Sequence, residues 1–180
     1  MQFLKILSIL FISFFLTFSG YTAGSSSSSS NNNEVGDGGR DDLSYLKAKN
    51  SNFKKGKDAI KQAKKYLKKG KEKKSIKRFN DAIKYLILAN EEKPNIPDIL
   101  NLLGFSYRKV GDFMMAEIYY KQGLEIDPNH KGINEYLGEL YVQTNRSDLA
   151  RERLKVLENC NCEEFNLLKE VIAGTKKSKY

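Results

Sequence analysis

The spacing of apolar residues predicts helices along most of the chain. From about residue 53 onward, apolar side chains recur three, four or seven positions apart, so each set falls on one face of a helix. The clearest sets are Ile60, Ala63 and Leu67, then Ile76, Phe79, Ile83 and Leu86, and finally Phe165, Leu168 and Ile172. No segment alternates apolar and polar residues as a half-buried strand does. The chain is therefore predicted to be an all-α protein.

The first 52 residues follow a different pattern. Lys5 precedes a 13-residue apolar stretch, 6–18, and small residues follow as far as Ala23. This stretch is short for a bilayer span, which needs about 20 residues. The arrangement predicts a signal peptide over 1–23, with an uncleaved anchor as the alternative. Residues 24–52 are rich in Ser, Asn and Gly, which favours a flexible linker.

These N-terminal features predict an exported protein of the bacterial periplasm. If the apolar stretch is retained, the alternative is a protein anchored in the inner membrane and facing the periplasm. The linker would then hold the remaining domain clear of the bilayer.

One fixed offset relates several segments of the helical region. Glycines and alanines recur 34 residues apart, and so do a proline and a tyrosine. A constant period shared by several residue types indicates a repeated helix-turn-helix unit. Small side chains let two helix backbones approach closely, and tyrosines fill the space beside them. The residues predicted to pack the repeats are Gly70, Gly104, Gly138, Ala82, Ala116, Ala150, Tyr107, Tyr141, Pro94 and Pro128.

The best-defined unit resembles a known repeat. The resemblance to the tetratricopeptide-repeat (TPR) signature rests on Leu100, Leu103, Gly104, Tyr107, Ala116, Tyr120 and Pro128. It implies a right-handed helical-hairpin solenoid of about three TPR units. These units are expected at about 63–96, 97–130 and 131–164, within a domain that spans 53–174.

The first unit and the C-terminus depart from the repeat. Lys69 and Lys73 stand where the other units have Leu and Tyr, so the first hairpin is expected to begin as a longer helix from about Phe53. Residues 163–174 are predicted to form a capping helix, because a solenoid otherwise exposes the apolar end of its last repeat. A basic tail follows at 175–180. The Cys-Glu-Glu-Phe segment at 162–165 also resembles the end of exported bacterial TPR proteins.

The resemblance implies a non-enzymatic scaffold or adaptor. The first helix of each hairpin would line a concave groove that holds a partner protein or peptide, and no cofactor is expected. The groove candidates are Lys71, Lys74, Asn101, Phe105, Arg108, Glu135 and Glu139. The alternative is that these residues are only the solvated faces of surface helices. Phe105 is the most informative of them, because an exposed aromatic in a groove suits ligand contact.

The positive charge is concentrated near the predicted first helices. The whole chain carries a net charge of +9, whereas residues 47–84 alone hold 16 basic and 3 acidic side chains. This lysine-rich segment suits contact with an anionic membrane surface, so a membrane-associated assembly factor is the alternative function. A solvated face is the simpler interpretation. Nucleic acid is disfavoured as a partner, because the protein is predicted to be exported and no aromatic series interleaves the lysines.

Candidate chemistry is limited to two cysteines and one histidine. Cys160 and Cys162 are the only cysteines, and export favours a disulfide between them. Packed free thiols and a small thiol redox centre are the alternatives. His130 follows Pro128 in an inter-repeat turn, where it is expected near the start of a helix. Two cysteines and a remote histidine do not complete a four-ligand zinc site, so the sequence predicts neither a metal site nor catalytic residues.

Overall fold

The computed structural model describes residues 51–176, and these residues form seven α-helices. They are α1 (Asn52–Lys68), α2 (Glu72–Glu92), α3 (Pro97–Val110), α4 (Phe113–Ile126), α5 (Lys131–Gln143), α6 (Ser147–Val156) and α7 (Glu163–Ile172). This part of the chain has no strand, so the predicted all-α class is confirmed. None of these helices is both long and apolar enough to cross a bilayer. The predicted signal peptide, the linker up to residue 50 and the tail from residue 177 lie outside the described residues.

The helices pair as three consecutive hairpins followed by a cap. Helix α1 packs against α2, α3 against α4 and α5 against α6, while α7 covers α5. One buried cluster includes Phe79 and Leu103, and a second includes Tyr120. Tyr107 and Tyr136 pack against both clusters and join them. The predicted helical-hairpin solenoid with a C-terminal cap is therefore confirmed.

The turn between α3 and α4 shows how the sequence separates two helices. Gly111 ends α3 with a φ of 92°, a left-handed conformation that glycine adopts without steric cost. Asp112 then begins α4, because its side chain accepts a 3.0 Å hydrogen bond from the backbone N–H of Met115. A glycine followed by a capping residue thus reverses the chain within two residues.

Two of the predicted packing glycines lie where helices approach closely. A β-carbon at Gly104 would lie 2.6 Å from the ring of Tyr120, so a larger residue there would force α3 away from α4. A β-carbon at Gly138 would meet Leu168 of the cap at the same distance. Ala82, Ala116 and Ala150 are fully buried, Tyr141 is buried and Tyr107 is half-buried. Pro94 and Pro128 lie instead in exposed loops between hairpins, where they end the preceding helix without packing.

The prediction that Gly70 packs two helices is wrong. Gly70 lies in the turn between α1 and α2 with a φ of +66°, and a β-carbon there would meet nothing within 4 Å. Gly56 takes the packing position, because a β-carbon at Gly56 would lie 2.7 Å from Leu86. Leu86 precedes Tyr120 by the 34-residue period, but Gly56 precedes Gly104 by 48 residues. Helix α2 thus keeps the repeat register, whereas α1 is displaced by 14 further residues.

The 14 additional residues lengthen both arms of the first hairpin. Helix α1 continues for 12 residues beyond Gly56, whereas α3 continues for 6 beyond Gly104. Helix α2 begins 14 residues before Leu86, whereas α4 begins 7 before Tyr120. Six or seven extra residues per arm amount to about 10 Å of helix. We call the additional segment, residues 63–78, the hairpin tip.

The C-terminal cap uses a face slightly different from the predicted one. Leu167, Leu168 and Val171 are buried, whereas the predicted Phe165 and Ile172 are only half-buried. The buried face is therefore rotated toward Leu167, because the cap packs against Gly138 of α5 through Leu168. Gly174 follows the helix in a left-handed conformation and ends it.

Candidate functional site

An open groove of about 680 Å³ runs along α1. Its floor is apolar, formed by Ile60 and by Leu102 of α3. Its walls are basic, formed by Lys57, Lys61, Lys64, Lys65, Lys68 and Lys69, with Asp58 as the one acidic neighbour. We call this feature the lysine groove. It combines apolar contact area with a strong positive charge, which suits an acidic ligand.

The helical periodicity of α1 explains why the lysines share one side. Phe53, Gly56, Ala59, Ile60 and Ala63 are buried in the hairpin. On the adjacent face, lysines recur three or four residues apart, at positions 57, 61, 64 and 68. The displaced register aligns Lys57 with Phe105, since each follows the glycine at the helix crossing. Consequently the first unit contributes α1 lysines to the concave side.

The structure therefore corrects the groove candidates of the first unit. Lys71 lies in the turn before α2, and Lys74 lies on α2 rather than on the helix that lines the groove. Lys74 instead borders a separate hollow of about 240 Å³ with Tyr66, Lys77 and Arg78. Both assignments followed from the 34-residue offset, which does not hold for α1.

Phe105 is not the exposed aromatic that the sequence predicts. Its side chain is 1% exposed and contacts Phe79 and Tyr136, with ring centroids 5.8 and 5.1 Å away. The Nζ atoms of Lys64 and Lys109 lie 4.6 and 5.5 Å from the centroid of the Phe105 ring. Such cation–π contacts stabilise the two ammonium groups above the ring. Phe105 thus anchors the first hairpin to the second beneath a cover of cations.

Arg108 and Glu139 are brought together, but inside the molecule. Arg108 Nη2 donates a 2.7 Å hydrogen bond to Glu139 Oε2, and the two side chains are 1% and 2% exposed. Burial alone would lower the pKa of Arg108, but Tyr120 and Glu139 raise it overall, so the guanidinium stays charged. The pair joins α3 to α5, which makes these two groove candidates an inter-repeat contact.

The remaining groove candidates are also buried against neighbouring helices. Asn101 lies against the start of α5, where a β-carbon at Gly132 would meet its amide nitrogen at 2.9 Å. Glu135 is 5% exposed. It borders a hollow of about 210 Å³ together with Lys64, Tyr136, Glu139, Glu163, Glu164 and Leu167. Lys64 borders both this acidic hollow and the lysine groove, so the concave side changes from basic to acidic at Lys64.

Lys109 is the most perturbed cation on the concave side. Burial lowers the pKa of Lys109 to about 7, and the neighbouring charges of Arg108 and Lys64 lower it further, while Glu139 opposes them. Part of its population is therefore neutral near physiological pH. The charge at this point of the concave side consequently depends on pH.

The cysteines and the histidine have structural positions. Cys160 and Cys162 form a disulfide across one residue, with their Cα atoms 5.1 Å apart, in the turn between α6 and α7. His130 begins α5, because its Nδ1 accepts a 3.2 Å hydrogen bond from the backbone N–H of Ile133. Its Nε2 lies 3.4 Å from Asp98 Oδ1, and this hydrogen bond lowers the pKa of Asp98. Within residues 51–176, no three acidic, His or Cys side chains are placed to hold a metal ion.

Sequence reasoning missed the lysines that line the groove. Lys57, Lys61, Lys65 and Lys68 were part of a lysine-rich segment without an assigned face. The signal that identifies them is Gly56, a helical glycine one turn ahead of a set of apolar residues. Aligning Gly56 rather than Gly70 with Gly104 would have placed these lysines on the concave side.

Comparison with known proteins identifies the second hairpin. The tetratricopeptide repeat family matches residues 97–130, which comprise α3, α4 and the loop that follows. Anaphase-promoting complex subunit CDC16 of Saccharomyces cerevisiae is 34% identical over 79 residues, which are 40% of this chain and 9% of that protein. The uncharacterized protein ycf37 of Pyropia yezoensis is 34% identical over 83 residues, which are 45% of this chain and 47% of that protein. The chain thus spans less than half of the length of either relative.

The fold and the comparison agree on the class of protein. Residues 97–130 are a tetratricopeptide repeat, placed between a longer hairpin and a shorter one. Repeats of this family indicate a protein–protein interaction scaffold, since stacked hairpins present an extended concave surface.

Proposed function

We propose that this chain is a non-enzymatic scaffold or adaptor of the cell envelope that binds a partner peptide in the lysine groove. The observation that carries the proposal is the groove itself: an open concave surface with an apolar floor and basic walls on a repeat scaffold. The rest of the concave side is filled by its own side chains, since Phe105, Arg108 and Glu139 are buried.

The chemistry of the groove favours an acidic segment with at least one apolar side chain. Ile60 and Leu102 would remove an apolar side chain from water, which contributes about 25 cal/mol per Å² of buried apolar area. The lysines would attract acidic side chains and speed their association, with a strength that falls as salt is added. A rigid pair of helices loses little entropy on binding, because the groove is formed before the partner arrives.

Two features support a location in the envelope. The predicted signal peptide at 1–23 would direct the chain out of the cytoplasm. The disulfide between Cys160 and Cys162 belongs to an oxidising compartment. Together they favour a periplasmic scaffold.

The test is affinity purification of the tagged full chain from its native cells, with the captured proteins quantified by mass spectrometry. A groove variant, Lys57→Glu with Lys61→Glu, reverses charge on the groove wall outside the hairpin tip. A matched control, Lys131→Glu with Lys155→Glu, makes the same change at exposed positions on α5 and α6. We expect a partner that the wild type and the control capture and the groove variant loses.

Equal capture by all three proteins would contradict binding in the lysine groove. Thermal melting of each variant by circular dichroism checks that the helices are intact. Fractionation of the cells, with the chain found outside the cytoplasm, tests the location separately. A cytoplasmic chain would overturn the envelope proposal without affecting the groove.

A further inference from the structure

The hairpin tip is a concentrated positive charge that extends past the second hairpin. Residues 63–78 include nine basic side chains and one acidic side chain, Glu72. The tip consists of the last part of α1, the turn and the first part of α2, which lie in the additional 10 Å or so of each arm. The core of the repeat does not need this length, because Gly56 and Leu86 already bring the two helices together.

The charge surrounds the tip instead of lying on one face. Exposed lysines occur on α1, in the turn and on α2. They are Lys65, Lys68, Lys69, Lys71, Lys73, Lys74 and Lys77. A peptide in the lysine groove contacts only the α1 side of this set. A tip that is positive on all sides is instead complementary to a layer of anions into which it can enter.

The tip also carries apolar and phosphate-binding features. Ile76 is 43% exposed among the lysines, and Leu67 is half-buried beside the turn. Between the two arms, Tyr66, Lys74, Lys77 and Arg78 border a solvent-accessible hollow of about 240 Å³. Arginine and lysine side chains bind phosphate oxygens through charge-assisted hydrogen bonds. Cations with an exposed apolar side chain are typical of segments that lie in the headgroup region of a bilayer.

We propose that the hairpin tip binds the headgroups of an anionic lipid bilayer. The cations contact lipid phosphates, the hollow between the arms receives one phosphate group, and Ile76 reaches the boundary of the acyl chains. Nucleic acid fits the tip less well, because Tyr66 is its one aromatic residue and single strands are bound through a series of stacked bases. This inference goes beyond the proposed function, since the tip on α2 and the lysine groove on α1 are different surfaces.

Binding of the full chain to vesicles tests the inference. The readout is the lipid concentration that gives half-maximal binding, compared between neutral phosphatidylcholine vesicles and vesicles that contain about 30% phosphatidylglycerol. The ratio of the two concentrations cancels binding through the apolar residues 6–18. We expect the wild type to prefer anionic vesicles by about tenfold or more at low salt, and the preference to fall as the ionic strength rises.

Two variants of equal net charge identify the responsible surface. The tip variant is Lys71→Glu, Lys73→Glu and Lys74→Glu, and the control is Lys84→Glu, Lys131→Glu and Lys155→Glu. Each changes the net charge from +9 to +3. Acidic residues complement the dipole at the start of α2, so the tip variant should fold. The set Lys71→Gln, Lys73→Gln and Lys74→Gln replaces it if its melting temperature is lowered.

The tip variant should lose the preference for anionic vesicles, and the control should keep most of it. Equal loss in both variants would overturn the proposal, because net charge alone would then explain binding. A wild type without any preference would overturn it as well. So would tip-dependent binding to polyuridylate or polyglutamate at lower concentrations than to anionic vesicles. Since the groove lysines are unchanged in the tip variant, capture of the peptide partner should persist.

Discussion

Gly56 and Leu86 mark the crossing of the two helices in the first hairpin. A β-carbon at Gly56 would lie 2.7 Å from Leu86 Cγ, as one at Gly104 would lie 2.6 Å from the ring of Tyr120. The two pairs therefore hold equivalent positions in consecutive hairpins. This equivalence places the lysines of α1 on the concave side and leaves residues 63–78 as additional length.

Substitution of the two candidate glycines separates this register from the 34-residue one. Gly56→Val should lower the free energy of unfolding by about 1–3 kcal/mol or more, because the added methyl groups overpack the contact with Leu86. Gly70→Asn should cost only a few tenths of a kcal/mol, roughly, since asparagine tolerates the left-handed turn. Urea denaturation followed by circular dichroism measures both. A larger loss for Gly70→Asn would show that Gly70 packs the hairpin.

The buried pair of Arg108 and Glu139 should be sensitive to removal of one partner. Glu139→Ala leaves a charged guanidinium in the interior, which should cost about 3–5 kcal/mol of stability. Replacing both residues, as Arg108→Met with Glu139→Leu, should recover most of that loss, because no buried charge remains. A double variant as unstable as Glu139→Ala, measured by the same denaturation, would contradict this interpretation.

Lys109 should make stability depend on pH above neutrality. The unfolded chain keeps this proton up to 10.5, whereas the folded chain loses it near 7. Between these values the unfolded state binds more protons, so stability rises with pH across the window and falls again as pH drops through 7. Lys109→Met should flatten that rise, as seen in urea midpoints from about pH 6 to about pH 9. Parallel pH profiles of the two proteins would contradict the lowered pKa.

Removal of the disulfide should destabilise the cap only mildly. Cys160 and Cys162 enclose a single residue, and closing so short a loop restricts the unfolded chain by about 1–2 kcal/mol. Cys160→Ser with Cys162→Ser should therefore lower stability by no more than this, and reductant should then have no further effect. Complete unfolding of the double variant would mean that the disulfide holds α7 in place.

The architecture could be predicted from the sequence because a repeat constrains many positions at once. The spacing from Leu100 to Pro128 follows from how two helices pack, so it identifies the second hairpin without any contact information. Gly70 misled the prediction, since a glycine that ends a helix fell by chance on the same offset as glycines that pack helices. Two different physical roles produced the same letter at the same period.

The accessible surface was harder to predict than the fold. Arg108 and Glu139 occupy positions that are charged and periodic, which normally indicates a solvated face. They are buried because α3 and α5 meet there, a relationship between residues 31 positions apart that a local pattern does not contain. Phe105 is covered by Lys64 from α1 for the same reason. Which charged residues are accessible depends on how hairpins stack, not on the pattern within one helix.

Both proposed surfaces depend on the register of α1, and nuclear Overhauser contacts measure that register most directly. In a methyl-labelled sample of the full chain, the account predicts cross-peaks between the Hα protons of Gly56 and the methyl groups of Leu86, and none between Gly70 and Leu86. Cross-peaks from Gly70 to Leu86, with Gly56 free of them, would contradict the account and remove the structural basis of both the lysine groove and the hairpin tip.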